Sequence, residues 1–190
     1  MADSIEIKLQ GVDELVRSLR EAPDKIRKQA VRGALRKAGR VIATAAKAAA
    51  PVLKLPTKTR NPGTIKRAIR VGVSKFARRG GDEGVFIGVR PLSGARQKKL
   101  GKAGPTNPND PYYWRYVEFG TPPHVIKGIG GKRLAIAPSF PRAVRHPGTK
   151  PAHFMTGAAQ NKGQEAVSVF MREAIPQIEK LNAKALTSGR

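Results

Sequence analysis

The stretch Pro23-Asp24-Lys25-Ile26-Arg27-Lys28-Gln29-Ala30-Val31-Arg32-Gly33-Ala34-Leu35-Arg36-Lys37-Ala38-Gly39-Arg40-Val41-Ile42-Ala43-Thr44-Ala45-Ala46-Lys47-Ala48-Ala49-Ala50-Pro51 decides the fold. Proline is tolerated in a first helical turn but not in a helix interior, so Pro23 opens a helix and Pro51 ends it. In between, Ile26, Ala30, Ala34, Ala38, Val41, Ala45 and Ala49 recur at steps of four or three, while Lys28, Arg32, Arg36, Arg40 and Lys47 fall on the opposite face. The pattern predicts a helix to about Ala49, roughly 40 Å long at about 1.5 Å per residue. Its apolar face is mostly alanine, which lets a sheet or another helix come close but buries little area per residue.

On the N-terminal side, Ile5-Glu6-Ile7-Lys8-Leu9 alternates apolar and polar residues as a half-buried strand does. Gly11 breaks that pattern, and Asp13 can cap a short helix through Leu15, Val16 and Leu19. On the C-terminal side, residues 52–64 form a basic loop, and Ile69, Val71, Val73 and then Val85, Ile87, Val89 alternate as two strands. Phe76 to Gly84 reads as the loop between them, with Arg78, Arg79, Gly80 and Gly81 near its tip. Residues 91–111 have no periodicity, and a loop of that length is usually functional or mobile. Tyr113 to Phe119, aromatic and β-prone, is expected to be a strand. His124-Val125-Ile126 and Leu134-Ala135-Ile136 flank a Gly- and Lys-rich turn at 127–133 and suggest a second hairpin. After an irregular stretch, 138–151, the helical period returns from Phe154 through Ala166, Phe170, Ala174, Ile178 and Leu181. Pro176 is expected to kink or split this helix, and the tail 183–190 to fray.

This order implies an α+β fold in one domain over 1–190: a small, mainly antiparallel sheet packed against a long N-terminal and a C-terminal helix, with long basic loops. Segments 91–111 and 127–133 are expected to be mobile or ordered by assembly.

Charge narrows the function. The chain carries 37 Lys and Arg against 13 Asp and Glu, a formal +24, and the excess peaks in the middle, with 14 basic and 3 acidic residues between 51 and 110. Such a field favours a polyanionic partner or neighbouring subunits with acidic surfaces. The absence of cysteine excludes disulfides, cysteine-liganded zinc, iron–sulfur clusters and thiol catalysis. No stretch approaches the roughly 20 apolar residues of a membrane span. The acidic, polar opening Met1 to Glu6 is unlike a signal peptide, and an intracellular chain without membrane contact is expected.

Catalytic groups do not converge. His146 and His153 are separated by Pro147 and Pro151, so no helix presents both on one face, and His124 completes no zinc spacing. Glu118 is the only acid between Asp110 and Glu165, and Gly101-Lys102-Ala103-Gly104 lacks the ending of a phosphate-binding loop. An enzyme is not expected, and neither a metal nor a cofactor. Arg32, Arg36 and Arg40 on the helix, and Arg78, Arg79, Lys98, Lys99 and Lys102 on loops, have two readings: a solvated surface, or one facing DNA phosphates or a neighbouring subunit. Few aromatic residues argue against a single-strand stacking platform.

Four elements in order then carry a resemblance. They are Gly11-Val12-Asp13-Glu14-Leu15 ahead of the basic helix; Gly63-Thr64-Ile65-Lys66-Arg67-Ala68-Ile69; Tyr116-Val117-Glu118-Phe119-Gly120-Thr121 with Pro123-His124-Val125-Ile126; and His146-Pro147-Gly148-Thr149-Lys150-Pro151-Ala152-His153-Phe154. Together, over residues 5 to 180, they resemble the gene-product-ten-like tail-completion, or head–tail joining, family of long-tailed phages, similar in role to lambda's minor tail protein Z. Segment 91–111 resembles an insertion, and Met155-Thr156 stands where the family more often has leucine and arginine.

The resemblance implies a structural virion protein of the neck, assembled in the host cytoplasm without catalysis. It would form a ring of six subunits, or of twelve on the portal side, between tail-terminator and head-closure or connector proteins. Phage DNA would pass through the ring without sequence-specific contacts. Two readings of the motifs remain open. They fix the fold, or the Glu118–Thr121 and His146–Phe154 loops lie side by side at a ring interface. The rival function is a basic protein that coats DNA without sequence preference.

Overall fold

The computed structural model describes residues 12–136 and 140–188; the strand expected over 5–9 lies outside them. In chain order the elements are α1 (Val12–Glu21), α2 (Asp24–Ala49), α3 (Thr64–Ala68), β1 (Ile69–Val73), α4 (Lys75–Arg79), β2 (Val85–Val89), α5 (Ala95–Leu100), α6 (Trp114–Phe119), β3 (His124–Lys127), a 3-10 turn at Ile129–Gly131, β4 (Ala143–His146) and α7 (Phe154–Ser188). The fold is α+β, with long helices near both ends and two separate two-stranded antiparallel sheets. The chain divides into two compact units, one built from 1–49, 68–90 and 157–190, the other from 50–67 and 91–156. No described helix is long and apolar enough to cross a membrane.

Unit one is organised by α2. In its first half Ala30 and Ala34 are fully buried, against Leu15 and Leu19 of α1, Ala22 just after it, and Ala174 and Ile178 of α7. Its second half lies on β1 and β2. The buried stripe follows the expected Ala30, Ala34 and Ala38, then moves to Gly39, Ala43 and Ala46, leaving Ala49 exposed. A 3.6-residue helix rotates beneath a strict step of four, and the partner changes midway from helices to a sheet. Two glycines, absent from the expected stripe, mark these close approaches. A Cβ at Gly39 would stand 3.0 Å from Val71 Cγ1 and 3.3 Å from Ile87 Cδ1, while Gly33 faces the end of the Gln177 side chain. Arg32 and Glu83 add a two-pronged ion pair at 2.5 and 2.7 Å, and Lys37 pairs with Glu173.

The β1–β2 hairpin has the expected strands, in a register that sets Ile69 opposite Val89 and Val71 opposite Ile87. Its connection is not simply loop. Ser74 caps α4 by accepting from the Ala77 N–H at 3.2 Å, and Gly80 ends that helix after Arg78 and Arg79. Helix α7 is not split at Pro176. Ala174 and Ile178, buried on either side of the exposed proline, hold the helix through the missing main-chain bond, and it continues to Ser188.

Unit two corrects two local expectations and fills in a third segment. Tyr113 to Phe119 is helical rather than extended. Tyr113, Val117 and Glu118 face inward at helical spacing, while Arg115, Tyr116 and Phe119 are exposed. Burial geometry here overrides the β propensity of the aromatic residues. The second hairpin pairs β3 with β4, not with Leu134–Ile136: His124 faces His146 and Lys127 faces Ala143. The same register continues to the Thr121–Thr149 bridge at one end and to the Gly128 N–H donating to the Arg142 carbonyl at the other. Pairing is therefore fixed from the motif end, and the Gly- and Lys-rich segment lies within a longer loop. Residues 91–111 contain α5 and a cross-bonded turn. There the Asn107 amide donates to the Leu100 and Lys102 carbonyls, and Asp110, 2% exposed, accepts the Gly104 N–H at 2.7 Å.

The contrast between two glycines is testable. Gly39→Leu should overpack the α2–hairpin contact and cost about 1–3 kcal/mol in denaturant unfolding. Gly72→Ala, on a strand position with open space around it, should change stability by less than about 1 kcal/mol.

Candidate functional site

A helix leaves its first backbone N–H groups without internal partners, and a Ser, Thr, Asp or Asn just ahead of it normally accepts them. Helix α7 is preceded by Pro151-Ala152-His153, and His153 sits in the left-handed region at φ +45. The acceptor comes instead from Glu118 in α6. Its carboxylate takes the Met155 N–H at 2.9 Å, the Thr156 N–H at 2.8 Å and the Thr156 hydroxyl. Glu118 is 1% exposed. Burial pushes its pKa up, but the bonds from Met155 and Thr156, with the charge of His153, outweigh burial and hold it below the ordinary 4.5. Its partners are these amides and a hydroxyl, not the Arg or Lys that the basic composition suggests. The backbone repeats the connection: the Val117 and Glu118 carbonyls accept the Ala152 and His153 N–H groups at 2.9 and 3.1 Å. Phe154, 1% exposed, is buried beside this cap.

Beyond α6 the chain reverses at Gly120, φ +71, and runs beside the His146–Phe154 segment. Thr121 and Thr149 exchange both backbone bonds, at 3.0 and 3.1 Å, and their hydroxyls meet at 2.8 Å. Both flanking glycines are required by space as well as by φ. A Cβ at Gly120 would lie 2.3 Å from the Thr149 carbonyl oxygen and 3.0 Å from the Pro151 nitrogen; one at Gly148, φ +89, would lie 2.1 Å from the Thr121 carbonyl oxygen. The Glu118–Thr121 and His146–Phe154 segments thus lie side by side, clasped from Glu118 to Thr121.

Next along the ribbon, the His124 and His146 rings stand 5.0 Å apart beside a cavity of about 300 Å³ that Pro123, Arg145 and Pro147 help to line. The His146 Nδ1 accepts the Gly148 N–H at 3.0 Å, so the proton of the neutral ring is on Nε2. Among the described residues no three His, Cys, Asp or Glu side chains cluster as a metal would require.

The basic residues do not form one set. Arg32 is engaged by Glu83, whereas Arg36 and Arg40 on α2 and Arg78 and Arg79 on α4 are exposed in unit one. Lys98, Lys99 and Lys102 are exposed in unit two, on α5 and just after it. Tyr116 and Phe119 also project from α6, at 58% and 60% exposure. Sequence reading missed Thr156 as a Glu118 partner. The available signal was the missing local cap ahead of α7.

A family model described as "Bacteriophage HK97-gp10, putative tail-component" matches residues 13–120. That span takes in the basic helix and Tyr116–Gly120, while His146–Phe154 lies beyond it. No curated protein and no solved structure matches the chain.

Because Glu118 titrates lower in the folded chain than in the unfolded one, its stabilisation is complete above pH 4.5 and is lost as pH falls through the folded value. Glu118→Gln should cost about 1–3 kcal/mol at neutral pH. Hydrogen exchange at the Met155 and Thr156 amides should speed up about tenfold or more, and should lose the acid-dependent step expected of the native chain. Gly120→Ala and Gly148→Ala should each cost about 2 kcal/mol or more in thermal unfolding, since both φ and space forbid the methyl.

Proposed function

The chain belongs to the HK97-gp10-like family of bacteriophage tail components, and from that membership we propose that it is a tail-completion protein forming a ring at the head-proximal end of the tail, around the DNA path. The observation that supports this best is how much apolar surface a single copy leaves open. Phe76 is 90% exposed, and Phe86, Tyr116 and Phe119 are each more than half exposed, in a chain otherwise dominated by charge. Large exposed apolar groups rimmed by polar ones mark protein–protein contacts. In a closed ring each subunit offers two different surfaces to its neighbours. Six copies fit a six-fold tail, with twelve as the portal-side alternative. The outer faces would meet the tail terminator and the head-closure or connector proteins. Arg36, Arg40, Arg78, Arg79, Lys98, Lys99 and Lys102 are candidates for the lumen, facing DNA phosphates without reading sequence. The Thr121–Thr149 clasp presents both motifs together, as one interface element.

The exposed basic residues also favour the second reading, a protein that coats duplex DNA. Location and stoichiometry separate the two. A neck protein is retained in purified particles at six or twelve copies, visible in an averaged reconstruction of the head–tail junction and by native mass spectrometry. A DNA-coating protein is absent from that junction, and its DNA affinity falls by orders of magnitude between low and physiological salt. Recovery as a monomer in every particle would overturn the ring.

A further inference from the structure

In unit one, the β1–β2 hairpin packs one face on α2 through Val71 and Ile87 and turns the other outward. On that outer face two of the four positions, Gly72 and Gly88, are glycines between Arg70 and Phe86. Gly72 has nothing within 4 Å of where a Cβ would be, and the Phe86 ring lies over Gly88, 2.5 Å from its hypothetical Cβ. Phe86, 53% exposed, and Phe76, 90% exposed, stand on either side of a groove of about 440 Å³ rimmed by Arg70 and Lys75. The adjoining α4 adds Arg78 and Arg79. Arg70, Lys75 and Arg79 form no salt bridge among the described residues, and Arg78 acts only at longer range on Glu83, whose pKa its charge helps to lower. The groove therefore suits a short apolar ridge bearing carboxylates.

One described helix has that chemistry. Helix α1 sets Asp13, Glu14 and Glu21 against Arg17 and Arg20, and is the only described helix with net negative charge, in a chain of +24. None of its carboxylates forms an ion pair among the described residues. Leu15 is buried against Ala34 and Ala174, which leaves Val12 and Val16, one turn apart and each 39% exposed, pointing to solvent. With both surfaces uncovered among the described residues of one copy, they complement each other between copies.

We infer that α1 of one copy docks in the Phe76–Phe86 groove of the next, with Val12 and Val16 between the two rings and Asp13 and Glu14 against Lys75 and Arg78. The contact joins unlike surfaces, so it propagates head to tail and closes where the rotation allows. It specifies the neighbour contact of the ring and rests on that reading.

The absence of cysteine makes the test direct. Val16→Cys and Phe76→Cys, both at exposed positions, are made separately, mixed and mildly oxidised, in the purified protein and in assembled particles. The mixture should give at least about tenfold more cross-linked dimer than either variant alone, and the doubly substituted chain a ladder ending at the ring number. Phe76→Glu should weaken assembly by about tenfold or more with an unchanged circular dichroism spectrum. Asp13→Lys with Glu14→Lys should do the same, and should be rescued by Lys75→Glu with Arg78→Glu. A ring that persists without the mixed cross-link overturns this contact and leaves the ring reading standing. Loss of particle retention in Phe76→Glu without the mixed cross-link assigns the groove to a different virion protein and also overturns it. Monomers in solution and in particles overturn both.

Discussion

How closely backbone can approach helix α2 governs the first unit. A helix faced with alanine and glycine offers little apolar area, so its stabilisation comes from proximity: neighbouring main chains and side chains reach van der Waals distance along its length. Ala30 and Ala34 let α1 and α7 close in, and Gly39 does the same for Val71 and Ile87 of the hairpin. Because close packing tolerates no added volume, the same small side chains that limit buried area also fix where each partner sits. The large apolar groups of the hairpin that do not reach α2, Phe76 and Phe86, are left on its outer side.

The second unit relies on polar chemistry for the same end. A single buried carboxylate, Glu118, does for α7 what a local cap usually does, but from 37 residues away, so the cap is also a long-range tie between the two motifs. The Thr121–Thr149 exchange and the two glycines beside it convert that tie into a register, and the β3–β4 ribbon inherits it. In a chain with so few acids, a carboxylate spent on backbone N–H groups rather than on a surface cation reports where structure is most constrained.

Membership in a family of phage tail components fits these features. What a single copy presents outward is cationic and aromatic: exposed Arg and Lys on α2, α4 and α5, and exposed Phe and Tyr on α4, β2 and α6. A tail component needs surfaces of that kind, because apolar area left uncovered in one chain is available to be buried by a virion partner.

Much was legible in the residues alone. Strong periodicity marked α2 and α7, β-branched alternation marked β1 and β2, and proline and glycine marked most of the breaks, because these signals arise within a few residues of chain. The two motifs were also recognisable by their order. What sequence could not decide was every feature set by a partner distant along the chain. Tyr113 to Phe119 became helical because Val117 and Glu118 bond to the chain entering α7 while Tyr113 is buried beneath Arg60. His124 paired with His146 rather than with the nearer apolar triplet because Thr121 and Thr149 set the register. Glu118 found backbone donors instead of a cation, and α7 ran through Pro176 because Ala174 and Ile178 are held on either side. Local propensities differ by about 1 kcal/mol or less per residue, while a satisfied buried carboxylate or a filled core position is worth more. Wherever the two competed, tertiary structure decided.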